Sequence, residues 1–278
     1  MGTATIVKPA IRLPGMAFLR VLVERRSLIY QMVRRDFETR FVGSAAGWLW
    51  TIIHPLVLLV SWVFVFQYCM KIKPPEGAGD SYTLYLFCGY LPWLLFQETV
   101  QRSAGSLLEQ ANLITKTVFP SEIIPVTIYL SSLASHVIAV SLGVFMVRFM
   151  AGYFSVVIVL LPVYALLLGL FAVGIGWIVA SLQVYLRDTA QVVVVALVGW
   201  FWMTPIFIDE QSFPAGARFL VHWNPMAYVV NGYRRLMLPG DGLPAAGDLL
   251  LLAAIALAVF CAGGVFFRHL KRGFADVL

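Results

Sequence analysis

A short polar segment, residues 109–125 (EQANLITKTVFPSEIIP), lies between two long apolar stretches and carries three charged and two amide side chains. Its helix-forming residues, with an apolar edge at Leu113 and Ile114, are typical of a short helix that docks into a groove of a soluble partner. The prolines that close the segment indicate the start of the next helix, because proline suits a first helical turn. We therefore predict a docking helix over residues 106–118, with an ordinary loop as the alternative. Its candidate contact residues are Glu109, Asn112, Leu113, Ile114, Lys116 and Phe119.

The rest of the sequence offers no set of residues suited to catalysis. It contains no paired carboxylates, no nucleophile with a base and an orienting group, and no Cys/His spacing of a metal site. None of the five lysines follows a glycine, so the phosphate-binding loop Gly-x-x-x-x-Gly-Lys-Ser/Thr is absent. We expect a protein that is not an enzyme and holds no metal or cofactor. ATP and Mg²⁺, if they are used, must be bound by a separate chain.

Composition predicts an all-α integral membrane protein. Of the 278 residues 60% are hydrophobic and 12% are charged, against about 25% charged in soluble domains. Uncharged runs of roughly 20 residues indicate six transmembrane helices in a single domain, because that length crosses the hydrocarbon core. The predicted spans are 48–70, 81–102, 121–147, 155–182, 189–208 and 248–268.

The distribution of basic residues predicts the orientation of these spans. Most of the 20 basic residues fall at the two termini and in the loops on the same side as the termini. Under the positive-inside rule, both termini of this multi-pass protein are then cytoplasmic. This topology explains most of the net charge of +6, so no nucleic-acid partner is required.

Two further segments are apolar but do not match a simple span. Residues 17–41 mix arginines with apolar residues and resemble a basic amphipathic helix that lies at the inner surface of the membrane among its lipids. A plain topological anchor is the alternative for this helix. Residues 209–240 contain an uncharged stretch that is too short to span and is broken at Asn224-Pro225. We interpret it as a re-entrant or interfacial helical hairpin.

Three motifs stand in an order that resembles one family. ANLITKTVFPSEIIP (111–125), RDFETRFVGSAAGWLWTIIHPL (35–56) and WNPMAYVVNGYRRLMLPG (223–240) are similar to motifs of the ABC-2 permeases that export polysaccharides. That family serves O-antigen, capsule and teichoic acid chains, among which the resemblance does not distinguish. It implies a homodimeric channel, each copy bound through the docking helix to a separate ABC ATPase subunit, and a lipid-linked polysaccharide as substrate.

The resemblance suggests roles for three groups of residues. Aromatic rings can stack on sugar rings without a fixed register, so they could line a channel, although an interfacial aromatic belt and core packing are the alternatives. The channel candidates are Trp62, Phe66, Tyr68, Tyr82, Tyr85, Tyr90, Trp93, Trp200 and Trp202. Candidates for the cytoplasmic entrance and gate are Arg34, Arg35, Arg40, Glu98 and Arg187, and for the extracytoplasmic gate Trp223, Asn224, Pro225 and Tyr228.

The function expected from these features is that of the membrane subunit of an ATP-driven exporter of lipid-linked polysaccharide. One rival is an ABC-2 exporter of small hydrophobic compounds, whose pore would be poor in tyrosine and tryptophan. The other is an intramembrane glycan or lipid transferase, which would need acidic or histidine residues converging at membrane depth. The sequence offers almost none of those.

Overall fold

A computed structural model describes residues 24–40, 42–74, 81–116, 119–240 and 243–278, without the side chains of residues 275 and 276. Within these ranges the chain is built from helices, as the sequence predicts, and it contains no strand. The amphipathic helix predicted over 17–41 is seen from residue 26 to residue 39. Its first part, residues 17–23, lies outside the described residues.

Eleven α-helices occur in the described residues. They are α1 (Arg26–Thr39), α2 (Trp50–Val63), α3 (Tyr82–Glu109), α4 (Ala111–Lys116), α5 (Ile123–Met150), α6 (Leu161–Tyr185), α7 (Thr189–Met203), α8 (Arg218–His222), α9 (Pro225–Met237), α10 (Ala246–Leu270) and α11 (Phe274–Val277). A π-helical turn, Phe64–Cys69, continues α2, and a 3₁₀ turn, Val156–Leu160, precedes α6.

Four helical segments in the described part of the chain are long and apolar enough to cross a membrane: Gly47–Cys69, Ile123–Met150, Val156–Tyr185 and Ala246–Gly273. Two of the six predicted spans fall outside this set. Helix α3 has 28 residues but carries charged side chains in its second half, and α7 is apolar but has only 15 residues. A straight helix of 15 residues is about 22 Å long, short of the roughly 30 Å hydrocarbon core.

Helix α3 is the central element of the bundle. It packs against α5, α6, α7 and α9, and side chains on all of its faces are buried. Trp93 and Phe96 are fully buried, and the ring of Phe96 stacks on Phe171 of α6 with centroids 5.6 Å apart. Because its neighbours surround it, α3 can be buried on every face, including its tyrosines, its cysteine and its glycine.

Helices α6 and α10 approach each other closely through glycine. A Cβ atom built on Gly263 of α10 would lie 2.1 Å from the carbonyl oxygen of Gly174 in α6. A Cβ on Gly174 would lie 2.6 Å from the carbonyl oxygen of Val259. Small residues are what permit such backbone contact between membrane helices, where van der Waals packing replaces the hydrophobic effect as the attractive force.

The bundle has two chemically different ends. The first, here named the α4 end, holds α1, α4 and the C-terminal turn, which is joined to Glu122 by an ion pair from Lys271 Nζ at 2.5 Å. The second, named the hairpin end, holds residues 204–224 and the start of α3, where Tyr82 Oη donates to the carbonyl oxygen of Phe207 at 2.9 Å. Helix α2 connects the ends along the outside and buries only Pro55 and Leu59.

The close approach of α6 and α10 generates a first prediction. Gly263→Ala should destabilise the protein by about 1–3 kcal/mol, because the new methyl group meets backbone rather than a movable side chain. The free energy of unfolding is measured by titrating purified protein in mixed micelles with SDS. Gly247→Ala on the same helix is the matched control, since a Cβ there meets nothing within 4 Å. Equal stability of the two variants would contradict the interpretation.

Candidate functional site

A cluster of four charged side chains joins α1 to α3 near the α4 end. Arg40 Nη1 lies 2.5 Å from Glu98 Oε1, and Arg102 Nη2 lies 2.6 Å from Asp36 Oδ1. Two longer pairs close the set, Arg40 with Asp36 at 3.4 Å and Arg102 with Glu98 at 3.7 Å. Both carboxylates thus contact both guanidinium groups, and we call these four residues the charged cluster.

The charged cluster is also bonded to α5. Arg40 donates to the hydroxyl oxygens of Ser132 at 3.2 Å and Ser135 at 3.4 Å, and both serines are buried. The cluster therefore fixes the end of α1 to two core helices at once. Ion pairs at this depth are worth more than exposed pairs, which contribute about 0–1 kcal/mol, because the half-buried setting screens them less.

The charge state of Asp36 follows from its neighbours. Burial raises the pKa of this carboxyl, but the adjacent Ser131 hydroxyl and the positive charges of Arg102 and Arg40 outweigh burial, and the pKa lies below its ordinary value. A carboxyl with a depressed pKa contributes stability above its unfolded pKa and loses it only as the pH falls through the folded pKa. Asp36 therefore stays ionised, and its ion pairs persist, throughout the neutral range.

A cavity of about 270 Å³ lies directly beyond the charged cluster, between α2, α3 and α5. We call it the entrance cavity. Its polar lining is Arg40, Thr51, His54, Glu98, Ser132, Ser135 and His136, and its apolar lining includes Trp50 and Leu94. His136 is buried, and its Nε2 lies 2.9 Å from Tyr233 Oη in α9. The entrance cavity thus extends from a charged rim toward the middle of the bundle.

The predicted cytoplasmic gate residues do not form one group. Arg40 and Glu98 meet in the charged cluster, whereas Arg34 is exposed and pairs with Glu38 of its own helix at 2.8 Å. Arg35 and Arg187 are exposed and take no part in the cluster. Asp36 was not among the predicted residues, nor was Ser132. The spacing of four residues between Asp36 and Arg40, matching that of Glu98 and Arg102, was the available signal.

The predicted docking segment is divided between two helices. Helix α3 runs past its predicted end at residue 102 as far as Glu109, and α4 covers Ala111–Lys116 after a turn at Gln110. Asn112 and Lys116 are exposed on α4, while Leu113 is half-buried. The half-buried side chains of Ile114 and Phe119 pack against the core. The segment therefore presents a polar surface whose apolar edge is partly used within the chain.

Four of the nine predicted channel aromatics are buried inside the protein. Tyr82, Tyr85, Tyr90 and Trp93 are at most 3% exposed, so in this conformation they cannot stack on a sugar chain. Trp62 of α2 packs edge-on against Tyr90 with centroids 4.6 Å apart. Together with Phe201 and Phe207 these rings hold α2, α3 and α7 together.

The remaining predicted aromatics are more accessible. Tyr68 is 68% exposed and Trp202 is 56% exposed, while Phe66 and Trp200 are half-buried. Trp200 also lines an aromatic cavity of about 490 Å³ at the hairpin end, together with Phe219 and Trp223. These exposed rings, rather than the buried ones, are available for contact with a ligand.

The Asn224-Pro225 pair separates α8 from α9. Asn224 caps α9 by accepting from the backbone N–H of Met226 at 3.0 Å, and Pro225 occupies the first turn. Asn224 Oδ1 also accepts from Trp200 Nε1 at 2.8 Å, and its Nδ2 donates to Thr204 Oγ1 at 3.0 Å. The buried side chain of Asn224 therefore links α7 to α9 through hydrogen bonds.

The other two predicted residues of this gate are accessible. Trp223 is 77% exposed, and the half-buried Tyr228 donates its hydroxyl to the carbonyl oxygen of His222 at 2.8 Å. Of the four candidates, only Trp223 presents its ring to the outside without a hydrogen bond that fixes it.

A buried arginine, Arg234 of α9, is the residue that sequence reasoning missed at this end. Its guanidinium donates to the carbonyl oxygens of Ile206 at 2.5 Å, Pro205 at 2.7 Å and Tyr85 at 3.2 Å. It also lies 3.6 Å above the Tyr85 ring, a cation–π contact. Gly89 leaves the space for it, since a Cβ there would lie 2.6 Å from Nη2.

The Arg234 contacts predict that replacing this arginine by lysine costs much more stability than the same replacement at an exposed arginine. Arg234→Lys should destabilise the protein by about 2–4 kcal/mol, because one ammonium cannot satisfy three separated buried carbonyls. Arg218→Lys is the control, since Arg218 also donates to two carbonyls but is exposed, and it should change stability by less than about 0.5 kcal/mol. SDS titration measures both, and a similar loss in each would contradict the assigned role.

The charged cluster predicts a measurable coupling between Arg40 and Glu98. A double-mutant cycle of Arg40→Ala and Glu98→Gln should give an interaction energy of about 1–3 kcal/mol in the free energy of unfolding, since the two half-buried groups are in contact. The same cycle on the exposed pair Arg34 and Glu38 should give less than about 0.5 kcal/mol. Equal values for the two cycles would show that the cluster contributes no more than a surface pair.

Together, the bundle and its two polar ends define an all-helical membrane protein. Residues 27–238 match the family model described as ABC-2 type transporter, which covers more than half of the chain. The protein belongs to the ABC-2 type transporter family. The family resemblance predicted from the three motifs is thereby confirmed.

Individual relatives match between about three quarters and nine-tenths or more of the chain. The protein is 26% identical over 263 residues to the O-antigen export system permease protein RfbA of Myxococcus xanthus. The aligned residues cover 93% of this chain and 98% of that protein. It is 27% identical over 253 residues to a protein of the same name from Klebsiella pneumoniae, and that alignment covers 90% of this chain and 95% of the relative. The polysialic acid transport protein KpsM of Escherichia coli is 26% identical over 210 residues, covering 74% and 79%.

Proposed function

We propose that this chain is the membrane-spanning permease subunit of an ABC exporter that moves a polysaccharide out of the cytoplasm across the membrane. The observation that carries the proposal is its similarity to permeases named for O-antigen export along more than nine-tenths of the chain. The chain takes part in transport, not in catalysis of a chemical reaction. Export of small hydrophobic compounds, the rival within the same family, lacks a comparable relative among these matches.

The finer topology belongs to the same proposal. Six spans would result if α3 and α7 cross the membrane with the four longer segments, α7 being extended by residues 204–208. Two observations support this arrangement: α3 has 28 residues, and it packs against α5 and α6, which are themselves long enough to span. The contact of Lys271 with Glu122 and of Asp36 with Arg102 puts both ends of the described chain at the α4 end. We propose that this end is cytoplasmic and that the membrane is the bacterial inner membrane.

The proposed assembly contains two copies of this chain and two separate ATPase subunits that bind ATP and Mg²⁺. The outward faces of α2 and α7 support a homodimer, because they carry a continuous series of exposed apolar residues. On α2 and its π-helical continuation these are Val57, Val60, Phe64 and Tyr68, and on α7 they are Val192, Val195, Val198 and Trp202. A channel between the copies would be lined by these exposed residues and not by the buried rings of α3.

The proposed path of a lipid-linked substrate follows from the two ends. The entrance cavity and the charged cluster would receive it from the cytoplasmic leaflet, and the exposed ring of Trp223 with the aromatic cavity would contact it at the far side. The short helix α4 with Glu109 and Phe119 would receive the conformational change of the ATPase, because it is the exposed helical segment between two long helices at the cytoplasmic end.

The proposal is tested in a deletion strain of the source organism. Loss of the gene should abolish a surface glycan, measured by gel analysis of envelope polysaccharide, and the wild-type gene should restore it. The Leu113→Asp/Ile114→Asp double variant should not restore it and should not co-purify with the ATPase, because charges on the apolar edge of α4 oppose docking. An unchanged surface glycan in the deletion strain would refute polysaccharide export.

The matched control is Leu243→Asp, which puts the same charge on an exposed leucine just before α10, at the hairpin end. It should restore the glycan and keep the ATPase bound. Gel filtration checks that both variants insert and remain monodisperse, since Ile114 packs partly against the core. Normal export by a folded Leu113→Asp/Ile114→Asp variant would remove α4 from the coupling role while leaving polysaccharide export standing.

A further inference from the structure

A small polar cavity lies at the hairpin end, on the side away from α2. Its volume is about 180 Å³, and it is enclosed by the first turn of α6, the loop after α7, α9 and the first turn of α10. The residues that matter are Tyr164, Glu210, Tyr228, Asn231, Arg235 and Asp248. We call this space the polar cavity; its volume is on the order of that of six water molecules.

Charges of both signs meet in the polar cavity without pairing. Among the described residues, no ion pair or hydrogen bond joins the side chains of Glu210, Arg235 and Asp248 to one another or to any other side chain. The charged cluster near the α4 end behaves in the opposite way, since each of its charges is bonded to another. Arg235 is exposed and Glu210 and Asp248 are half-buried, so all three side chains are accessible to a ligand that enters the cavity from outside.

Two tyrosines give the polar cavity rigid walls. The ring of Tyr164 lies on the backbone of α9, where Gly232 leaves room for it: a Cβ there would be 2.1 Å from Tyr164 Cε1. The Tyr228 ring is held by the hydrogen bond from its hydroxyl to the carbonyl oxygen of His222. Burial and the nearby carboxylates of Asp248 and Glu210 raise the pKa of Tyr228, so its hydroxyl stays protonated beside them.

The chemistry of this lining matches a sugar ring. Each sugar hydroxyl both donates and accepts, so neighbouring hydroxyls can bind a carboxylate, an amide and a guanidinium in turn. The half-buried ring of Tyr228 can complement the C–H face of a sugar, whereas the ring of Tyr164 is only 2% exposed and supports the wall behind it. Two carboxylates stand against one guanidinium, which disfavours an acidic sugar and favours a neutral or amino-substituted one. A lipid headgroup would need an adjoining apolar channel, whereas the aliphatic lining is limited to Val221, Ala227 and Pro244.

We propose that the polar cavity binds one neutral or amino-substituted sugar unit of the exported chain. This inference rests on the proposed function, because the sugar would be part of the glycan that emerges at the hairpin end. The site lies outside the outward faces of α2 and α7, so it would hold a unit of the chain after it has left the channel rather than within it.

The test is saturation-transfer NMR on the purified full-length protein in nanodiscs. D-glucosamine and N-acetyl-D-glucosamine are the probes, and N-acetylneuraminic acid and phosphoethanolamine are the comparators. We expect saturation transfer to at least one of the two probes, and a loss of at least fivefold in the Glu210→Gln/Asp248→Asn double variant. Glu38→Gln, at an exposed carboxylate of α1, should leave the signal unchanged.

Each other outcome overturns a defined part of the proposal. No signal from either probe, or an equal signal in a monodisperse double variant, means that the polar cavity is not a sugar site. Transfer to phosphoethanolamine alone assigns it to a lipid headgroup, and equal transfer to N-acetylneuraminic acid removes the preference for uncharged or amino sugars. If the deletion strain loses its glycan while the NMR test fails, polysaccharide export stands and only the sugar site falls.

Discussion

The buried guanidinium of Arg234 is the constraint on which the hairpin end depends. Little water reaches the interior of an apolar bundle, so the buried carbonyls of the loop that follows α7 need donors from elsewhere in the chain. Arg234 supplies donors to two of them, those of Pro205 and Ile206, and to the carbonyl of Tyr85 on α3. A charged residue placed there is tolerable because each bond is charge-assisted and the Tyr85 ring lies against its face. The hairpin and the central helix are therefore one mechanical unit.

The α4 end is held by a different kind of interaction. Its ion pairs are half-buried, and the adjoining entrance cavity leaves space beside them, so they can be exchanged for contacts with water or a ligand. The hydrogen bonds of Arg234 to carbonyls in the core cannot be exchanged for contacts with water in this way. The exchangeable ion pairs belong to α1, so the contrast favours displacement of α1 against a rigid unit of α3, α7 and α9 in the proposed transport cycle.

The helices could be predicted from the sequence more fully than the contacts between distant side chains. The helical class, the break at Asn224 and the isolation of α4 follow from local rules of hydrophobicity, capping and proline, and these operate within a few residues. Arg234 could not be found in this way, because its partners are carbonyls far away in the sequence and any residue type carries a carbonyl. The burial of Tyr90 and Trp93 could not be predicted either. Their aromatic side chains suggest a sugar-binding surface, and only the position of α3 at the centre of the bundle shows that they are enclosed.

The central position of α3 has a consequence for transport. A chain of sugars cannot pass through the interior of one copy, since the rings of Tyr82, Tyr90 and Trp93 fill it and hold α2 and α7 in place. Moving them would break the packing of three helices at once, at a cost of several kcal/mol for each ring removed from the core. In the proposed homodimer, a path between two copies would need no such rearrangement, because the faces of α2 and α7 are already exposed. The aromatic core would then be the rigid wall of that proposed channel.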